Sequence, residues 1–353
     1  MKKFPRNTYH DTVVTGLAAI SPAGVGIGAL RDALEGGASL LTPVPEGVLA
    51  GDGHLWGKAD AFRAADFMPP LKARKFDRCS LFAVVAAGMA LKDAGIEPGS
   101  CDPARIGIVL GCGFGGIPNA EEFLRGYFTS GAEGMVPMLF PNIVPNAPAS
   151  NASIEHKLKG PNVTTIQRFC SAESAFLMAL RFLEEDRADI ILTGGVDEIT
   201  PIIMKGLAAM GQLRGFGSGF SEGAGVLVLE RGDHARARQA KILAHVGGVR
   251  TIGRLAQGAV SEGINRLLPE PCRADLVALS GTAPLEGALL DRLPAAPRLE
   301  TGRILGRSLA MGGLAMASLV LSLPAGGRGL YLAASPEGPW YAIDWCGGDP
   351  VQP

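Results

Sequence analysis

Apolar positions along this chain follow two spacings. Residues 12–18, 105–110 and 189–193 are short apolar or β-branched runs that lead into glycine or proline breakers, the pattern of buried strands. Between them apolar residues recur at helical spacing over 27–34, before a Gly36-Gly37 stop, and again over 78–94, 172–186 and near 200–211. From 231 onward the series starts again: a basic helix, a strand, the run at 275–281, a helix over 284–293, a small-residue segment at 306–323 and two closing strands. Repeated strand, glycine turn and helix predict an α/β protein whose parallel-rich sheets are buried under helices on both sides. Two stretches break the pattern. Residues 36–68 are irregular and rich in Gly, Pro and Ala, a surface excursion, and 135–151 carry four prolines among Met, Leu, Phe and Ile. The second is too broken for a helix and too apolar for a solvated loop, so it packs over a pocket or against another subunit.

Residues 160–176 carry the strongest chemical signal. A Gly-Pro turn, a β-branched strand, a polar corner and a helix opening on small residues make an elbow of the kind that presents a nucleophile, and Cys170 sits on it. The strand at 105–110 runs into a glycine loop that matches a dinucleotide fingerprint poorly, and its glycines instead let a loop pass close to another backbone.

Composition narrows the picture by exclusion. Cationic residues are scattered singly and the formal charge is −1, which offers no stripe for a nucleic-acid backbone. No run approaches the roughly 18–20 apolar residues of a membrane span, so the expectation is a cytoplasmic protein without membrane insertion. Cys79, Cys101, Cys112, Cys170, Cys272 and Cys346 lie singly, without CxxC pairs or histidines at ligand spacing, and predict neither a disulfide framework nor a metal site. No cofactor is indicated.

Several segments in order resemble the β-ketoacyl-acyl carrier protein synthases: 13–26, 74–96, 140–150, 160–167 with the downstream Gly194-Gly195, and 221–246. The resemblance covers nearly the whole chain, from about Val13 to Ala334. It implies an α/β, thiolase-like fold of duplicated βαβαβ halves in a five-layer α-β-α-β-α arrangement. The N-terminal half, with an inserted pocket or interface segment, would span 12–230 and the C-terminal half 231–346. An active family member resembles a Cys-His-His machine, in which an elbow cysteine takes the acyl chain and two histidines with a nearby lysine support decarboxylative condensation.

This chain departs from that pattern. Placing Gly160-Pro161 and Gly194-Gly195 on the family's equivalents without a gap puts Phe169 at the nucleophile position and Cys170 one residue later. On a helix that shift turns a side chain by about 100°. The five histidines are His10, His54, His156, His234 and His245, with none after 245, whereas the family's catalytic pair belongs to the C-terminal half. Ser280 falls at the first histidine position, Gly312 or Gly313 at the second, and Ser308 or Arg307 near the lysine. His234 reads as solvated, His156 as part of a surface turn and His245 as a satisfied core residue.

The resemblance therefore implies no catalytic residues of the usual kind and a non-catalytic, chain-length-factor-like homologue that pairs with an active ketosynthase. In the family the elbow strand lies near the dimer dyad, so the surviving surface is the one such a partner would use. An alternative is an atypical acyltransferase or condensing enzyme working through Cys170 with Glu173 or backbone donors. A third is a homodimer that docks an acidic acyl carrier protein through the cations of 231–241.

Overall fold

The computed structural model describes residues 11–49, 53–213, 219–253, 260–269, 273–280, 291–293, 296–335 and 337–348. Ten strands organise it: β1 (Thr12–Ser21), β2 (Ile106–Cys112), β3 (Asn162–Thr165), β4 (Ile190–Asp197), β5 (Gly223–Arg231), β6 (Ala244–Ile252), β7 (Leu276–Leu279), β8 (Arg298–Leu299), β9 (Arg328–Ala334) and β10 (Trp340–Gly347). They lie in the order β3-β2-β4-β5-β1-β6-β10-β9-β7-β8. Numbered within each set of five, both sets read 3-2-4-5-1 from the outer edge inward. The two sets meet where β1 pairs antiparallel with β6.

Pair directions repeat as well. β2 is parallel to β3 and β4, and β7 is parallel to β8 and β9. In each set the fifth strand returns antiparallel between the fourth and the first. The sheet is therefore mixed rather than parallel-rich: the apolar runs expose no signal for strand direction, and a fully buried antiparallel strand looks like a parallel one.

Among the described residues, eight helices of eight or more residues position the rest: α1 (Ile27–Gly36), α2 (Arg78–Asp93), α3 (Ile117–Ser130), α4 (Ala147–Glu155), α5 (Ser171–Glu184), α6 (Pro201–Ala209), α7 (Val260–Leu267) and α8 (Gly312–Ser322). Side-chain alternation sorts them into layers. Ala18 and Ile20 of β1, Ile108 and Leu110 of β2, and Val226 and Val228 of β5 face α2 and α4. Their neighbours Leu17, Ala19, Val109 and Leu227 face the opposite way, onto α5 and α8. Tyr331 and Ala333 of β9 and Ile343 of β10 close on the same two helices from the other side. Leu330, Leu332 and Ala342 look outward onto α7. Five layers result, with α5 and α8 in the middle. A helix between two sheets needs apolar residues all round, and residues 312–320 of α8 are buried without a break.

Two expectations change on inspection. Gly194 and Gly195 do not form a turn; they lie inside β4, paired with Leu110 and Gly111. A Cβ on Gly195 would stand 2.1 Å from the Ala310 carbonyl oxygen, so glycine here is a packing requirement rather than a breaker. The excursion at 36–68 contributes strand residues Leu55–Gly57, which pair in parallel with Phe220–Ser221. It thus folds over the elbow instead of standing apart. The helix expected over 284–293 falls mostly outside the described residues.

Candidate functional site

The elbow forms where β3 ends. Thr165 Oγ1 donates to the Ser171 carbonyl at 2.8 Å, and Ser171 Oγ donates to the Arg168 carbonyl at 2.7 Å while accepting from the Gln167 amide at 2.9 Å. These bonds hold Arg168 at φ +52°, a left-handed conformation that costs a non-glycine residue on the order of 1 kcal/mol or more. A single 3-10 turn, Arg168–Cys170, then opens α5. Beneath it Gly111 is obligatory, since a Cβ there would lie 2.3 Å from the Ser171 carbonyl carbon.

The two candidate nucleophile positions face different interiors. Phe169 is buried among Ile199, Ile203, Met204, Leu207, Phe220 and Leu309, its ring centroid 6.2 Å from that of Phe220. Val44, Leu49 and Trp56 of the excursion and Phe114 of the glycine loop cover this cluster. The space left beside Phe220 and Leu309 is about 10 Å³. That is the least room a single water needs, and an acyl chain does not fit it. Cys170 is turned into the central layer, fully buried, where its Sγ donates to the Pro339 carbonyl at 3.5 Å. Tyr341 stands nearby, its hydroxyl donating to Gln167 at 2.9 Å; burial first, then the neighbouring Cys170 and Glu173, raises its pKa.

The other positions named from the sequence are scattered around this elbow. Gly312 abuts Glu173: a Cβ would lie 2.3 Å from Glu173 Oε1, the oxygen that accepts from the Tyr331 hydroxyl. Gly313 is pressed between strands, with a Cβ placed 2.3 Å from the Gly225 carbonyl oxygen. Neither position has room for an imidazole. Ser280 is buried just past β7, its amide donating to the Leu332 carbonyl at 3.0 Å, and Gly281 lies outside the described residues. Arg307 is tied by its backbone to Gly219 and Ser221, and Ser308 Oγ accepts from the Ala310 amide at 3.2 Å. So the structure gathers Phe169, Ser308 and Leu309 on one side and Cys170, Glu173 and Gly312 on the other.

Sequence reasoning passed over a group of buried carboxylates behind the Phe169 cluster. Asp197, at the end of β4, accepts from the Gly113 amide at 2.7 Å and the Ala310 amide at 2.8 Å, yet burial pushes its pKa up to about 6. Glu198 is pushed up to about 8, by burial first and then by the charges of Asp77 and Glu222. Burial also raises Asp77, which caps α2 through the Ser80 amide. For Glu222 burial acts in the same direction, but Arg78 and Lys58, at 2.7 Å each, outweigh it and leave its pKa lowered. Asp77, Arg78 and Glu222 sit in the segments 74–96 and 221–246 that carry the resemblance, and the acidic pair Asp197-Glu198 after Gly194-Gly195 was the available signal. Their bonds to Ala59, Ile199 and Gly113 clamp the walls around Phe169.

One surface reading is corrected. His234 is bound rather than solvated: its Nδ1 lies 2.6 Å from Glu230, which also holds Arg238 at 2.7 Å. Arg231 pairs with Asp186 and Asp233, and Arg236 with Asp11. His10 and Cys272 lie outside the described residues.

Residues 10–235 match the family described as "Beta-ketoacyl synthase, N-terminal domain". The chain belongs to the β-ketoacyl synthase family. It is 30% identical to 3-oxoacyl-[acyl-carrier-protein] synthase 2 of Staphylococcus aureus over 263 residues, 68% of this chain and 64% of that relative. The enzyme of the same name from Rhizobium meliloti (strain 1021) is 34% identical over 213 residues, 54% of this chain and 50% of its own length. The match thus spans less than two thirds of either synthase. Solved structures extend the likeness in fold over 96% of this chain. "The ishigamide ketosynthase/chain length factor" superposes with a TM-score of 0.82 at 21% identity, covering 99% of that chain. A β-ketoacyl synthase from Burkholderia phymatum STM815 gives 0.80 at 19%, again covering 96% of this chain and 99% of its own. A type II acyl-carrier protein in complex with its ketosynthase, AntDE:AntF, gives 0.79 at 21%, covering 97% of this chain and all of that one. Among the described residues of this ketosynthase homologue, no helix is long and apolar enough to cross a membrane.

Proposed function

We propose that this ketosynthase homologue is non-catalytic and, like a chain-length factor, pairs with an active ketosynthase in fatty acid, polyketide or aryl-polyene-type biosynthesis in the cytoplasm. The observation that carries the reading is Phe169: its ring occupies the elbow where the family places its cysteine, and it is buried among Ile199, Ile203, Met204, Leu207, Phe220 and Leu309. Burial of Cys170 and the close packing at Gly312 and Gly313 support the same reading. The chain would consist of two thiolase-like halves, 12–230 and 231–346.

A partner has a surface to use. Leu124 and Phe128 of α3 and Met138 and Phe140 of the Pro-rich segment expose apolar side chains, Phe128 and Met138 to 80% each. The rings of Phe123 and Phe140 meet at a tilt of 51° with centroids 6.0 Å apart, which joins α3 and this segment into one face. Beyond it β3 is an outer strand of the sheet, followed by exposed Ile166. Exposed apolar area next to an open strand edge is the composition of a pairing surface. That the AntDE:AntF and ishigamide proteins are themselves assemblies by their names is in keeping with this.

Co-expression with an active ketosynthase from the same genome, followed by size-exclusion chromatography with mass measurement, tests the proposal. A one-to-one complex whose condensing activity survives Cys170→Ala in this chain is expected. Failure to form any complex, or a stoichiometric acyl adduct on Cys170 by intact mass after incubation with acyl-carrier thioester, would overturn it.

A further inference from the structure

An open space lies away from the elbow, on the outer layer. It is a cavity of about 580 Å³ between the C-terminal half of α2, the connection 96–106 and the end of α4. Leu91, Ile96, Ile106 and Leu158 give it apolar walls, and the half-buried Cys101 lines it. The volume falls within the ~300–1,000 Å³ range of small-molecule sites.

Its geometry is held open by specific contacts. His156 Nε2 sits 2.8 Å from the Val84 carbonyl. Because a carbonyl only accepts, Nε2 carries the proton, and the ring is fixed as a wall. Gly88 lies flat beneath it, where a Cβ would stand 2.8 Å from His156 Cε1. The next residue, Lys157, takes φ +56° at a helix end where glycine is usual. A lysine there accepts about 1 kcal/mol of strain.

Charge completes the site. Glu155 is paired with Lys72. Among the described residues no ion pair engages Lys92 or Lys157, which line the cavity together with Glu97. An apolar interior under two uncommitted ammonium groups suits a molecule with an apolar body and an anionic head.

We propose that this cavity binds an amphipathic monoanion, a medium-chain carboxylate, with its chain against Leu91, Ile96 and Leu158 and its carboxylate at Lys92 and Lys157. This site is separate from the elbow and does not depend on whether the chain is catalytic. Sodium decanoate, titrated calorimetrically into the full chain, is the probe, with 1-decanol as the uncharged control. One saturable site is expected, weakened at least tenfold in both Cys101→Trp and Pro98→Trp, two substitutions that fill the cavity from the 96–106 connection. Lys92→Glu with Lys157→Glu should weaken decanoate at least tenfold and leave 1-decanol within twofold. Absence of saturable binding up to millimolar decanoate overturns the proposal, as does binding unchanged in whichever tryptophan variant retains the native melting temperature. Equal affinity for decanoate and decanol would overturn the anionic part.

Discussion

Two apolar regions of this molecule lie close in sequence and have opposite fates. Around Phe169 the apolar side chains meet partners from α6, from Phe220, from Leu309 and from the folded-over excursion. On α3 and the Pro-rich segment, Phe128, Met138 and Phe140 are left facing outward. A pocket that served a reacting chain would show the reverse economy, with space inside and a sealed exterior. The contrast teaches that this ketosynthase homologue keeps its family's framework while placing its unsatisfied apolar area on the outside.

The comparison breaks most sharply at Phe169. Phe169→Ala removes a ring enclosed on all sides, in a region clamped by Glu222, Arg78 and Asp197, so collapse is limited. A loss of ~3–5 kcal/mol is expected, read as a lower urea midpoint with an unchanged slope. A loss below about 1 kcal/mol would mean that the cluster is loose and the elbow could admit a chain.

A smaller effect tests the carboxylates that hold those walls. Glu198 has its pKa raised to about 8 and Asp197 to about 6, both mainly by burial. A raised carboxylate binds its proton more tightly in the folded state, so stability is greatest below the unfolded pKa and falls as pH rises toward the folded one. Between about pH 4.5 and 6 both groups contribute, and from 6 to 8 Glu198 alone, at no more than ~1.4 kcal/mol per pH unit each. Glu198→Gln should therefore match the parent near pH 5 and exceed it by ~1–3 kcal/mol at pH 8. Thermal melts across that range check the sign; an equal decline in parent and variant would assign the pH dependence elsewhere.

How much of this could be read from the chain follows from what each feature depends on. That the strands lie buried under helices was legible because the apolar runs of β1, β2 and β9 and the all-apolar stretch of α8 are local patterns, whereas the five-layer order came with the family resemblance. The opposite orientation of Phe169 and Cys170 was legible from helix geometry alone. Strand direction was not, since β5 and β10 read like any buried strand. Nor were the glycines inside β4, whose reason is Ala310 and Gly225, residues that only the fold brings near. His234 looked solvated for the same reason: its partner Glu230 becomes buried only when β5 pairs with β1 and β4.

The exposed face yields the smallest effect on stability and the most specific one on assembly. Phe128 and Met138 are each 80% exposed, so Phe128→Ser with Met138→Ser removes little that folding buries. The isolated chain should change by no more than ~0.5 kcal/mol, the range of ordinary surface substitutions. Pairing is another matter. Truncating apolar anchors at the centre of an interface commonly costs ~2 kcal/mol or more apiece, which converts to at least a thirtyfold weaker association. Size-exclusion chromatography of the co-expressed proteins, run beside denaturation of the chain alone, separates the two quantities. Intact pairing with unchanged stability would show that the face serves neither purpose. A large loss of monomer stability would show instead that these side chains pack within the chain, and the contrast with Phe169 would disappear.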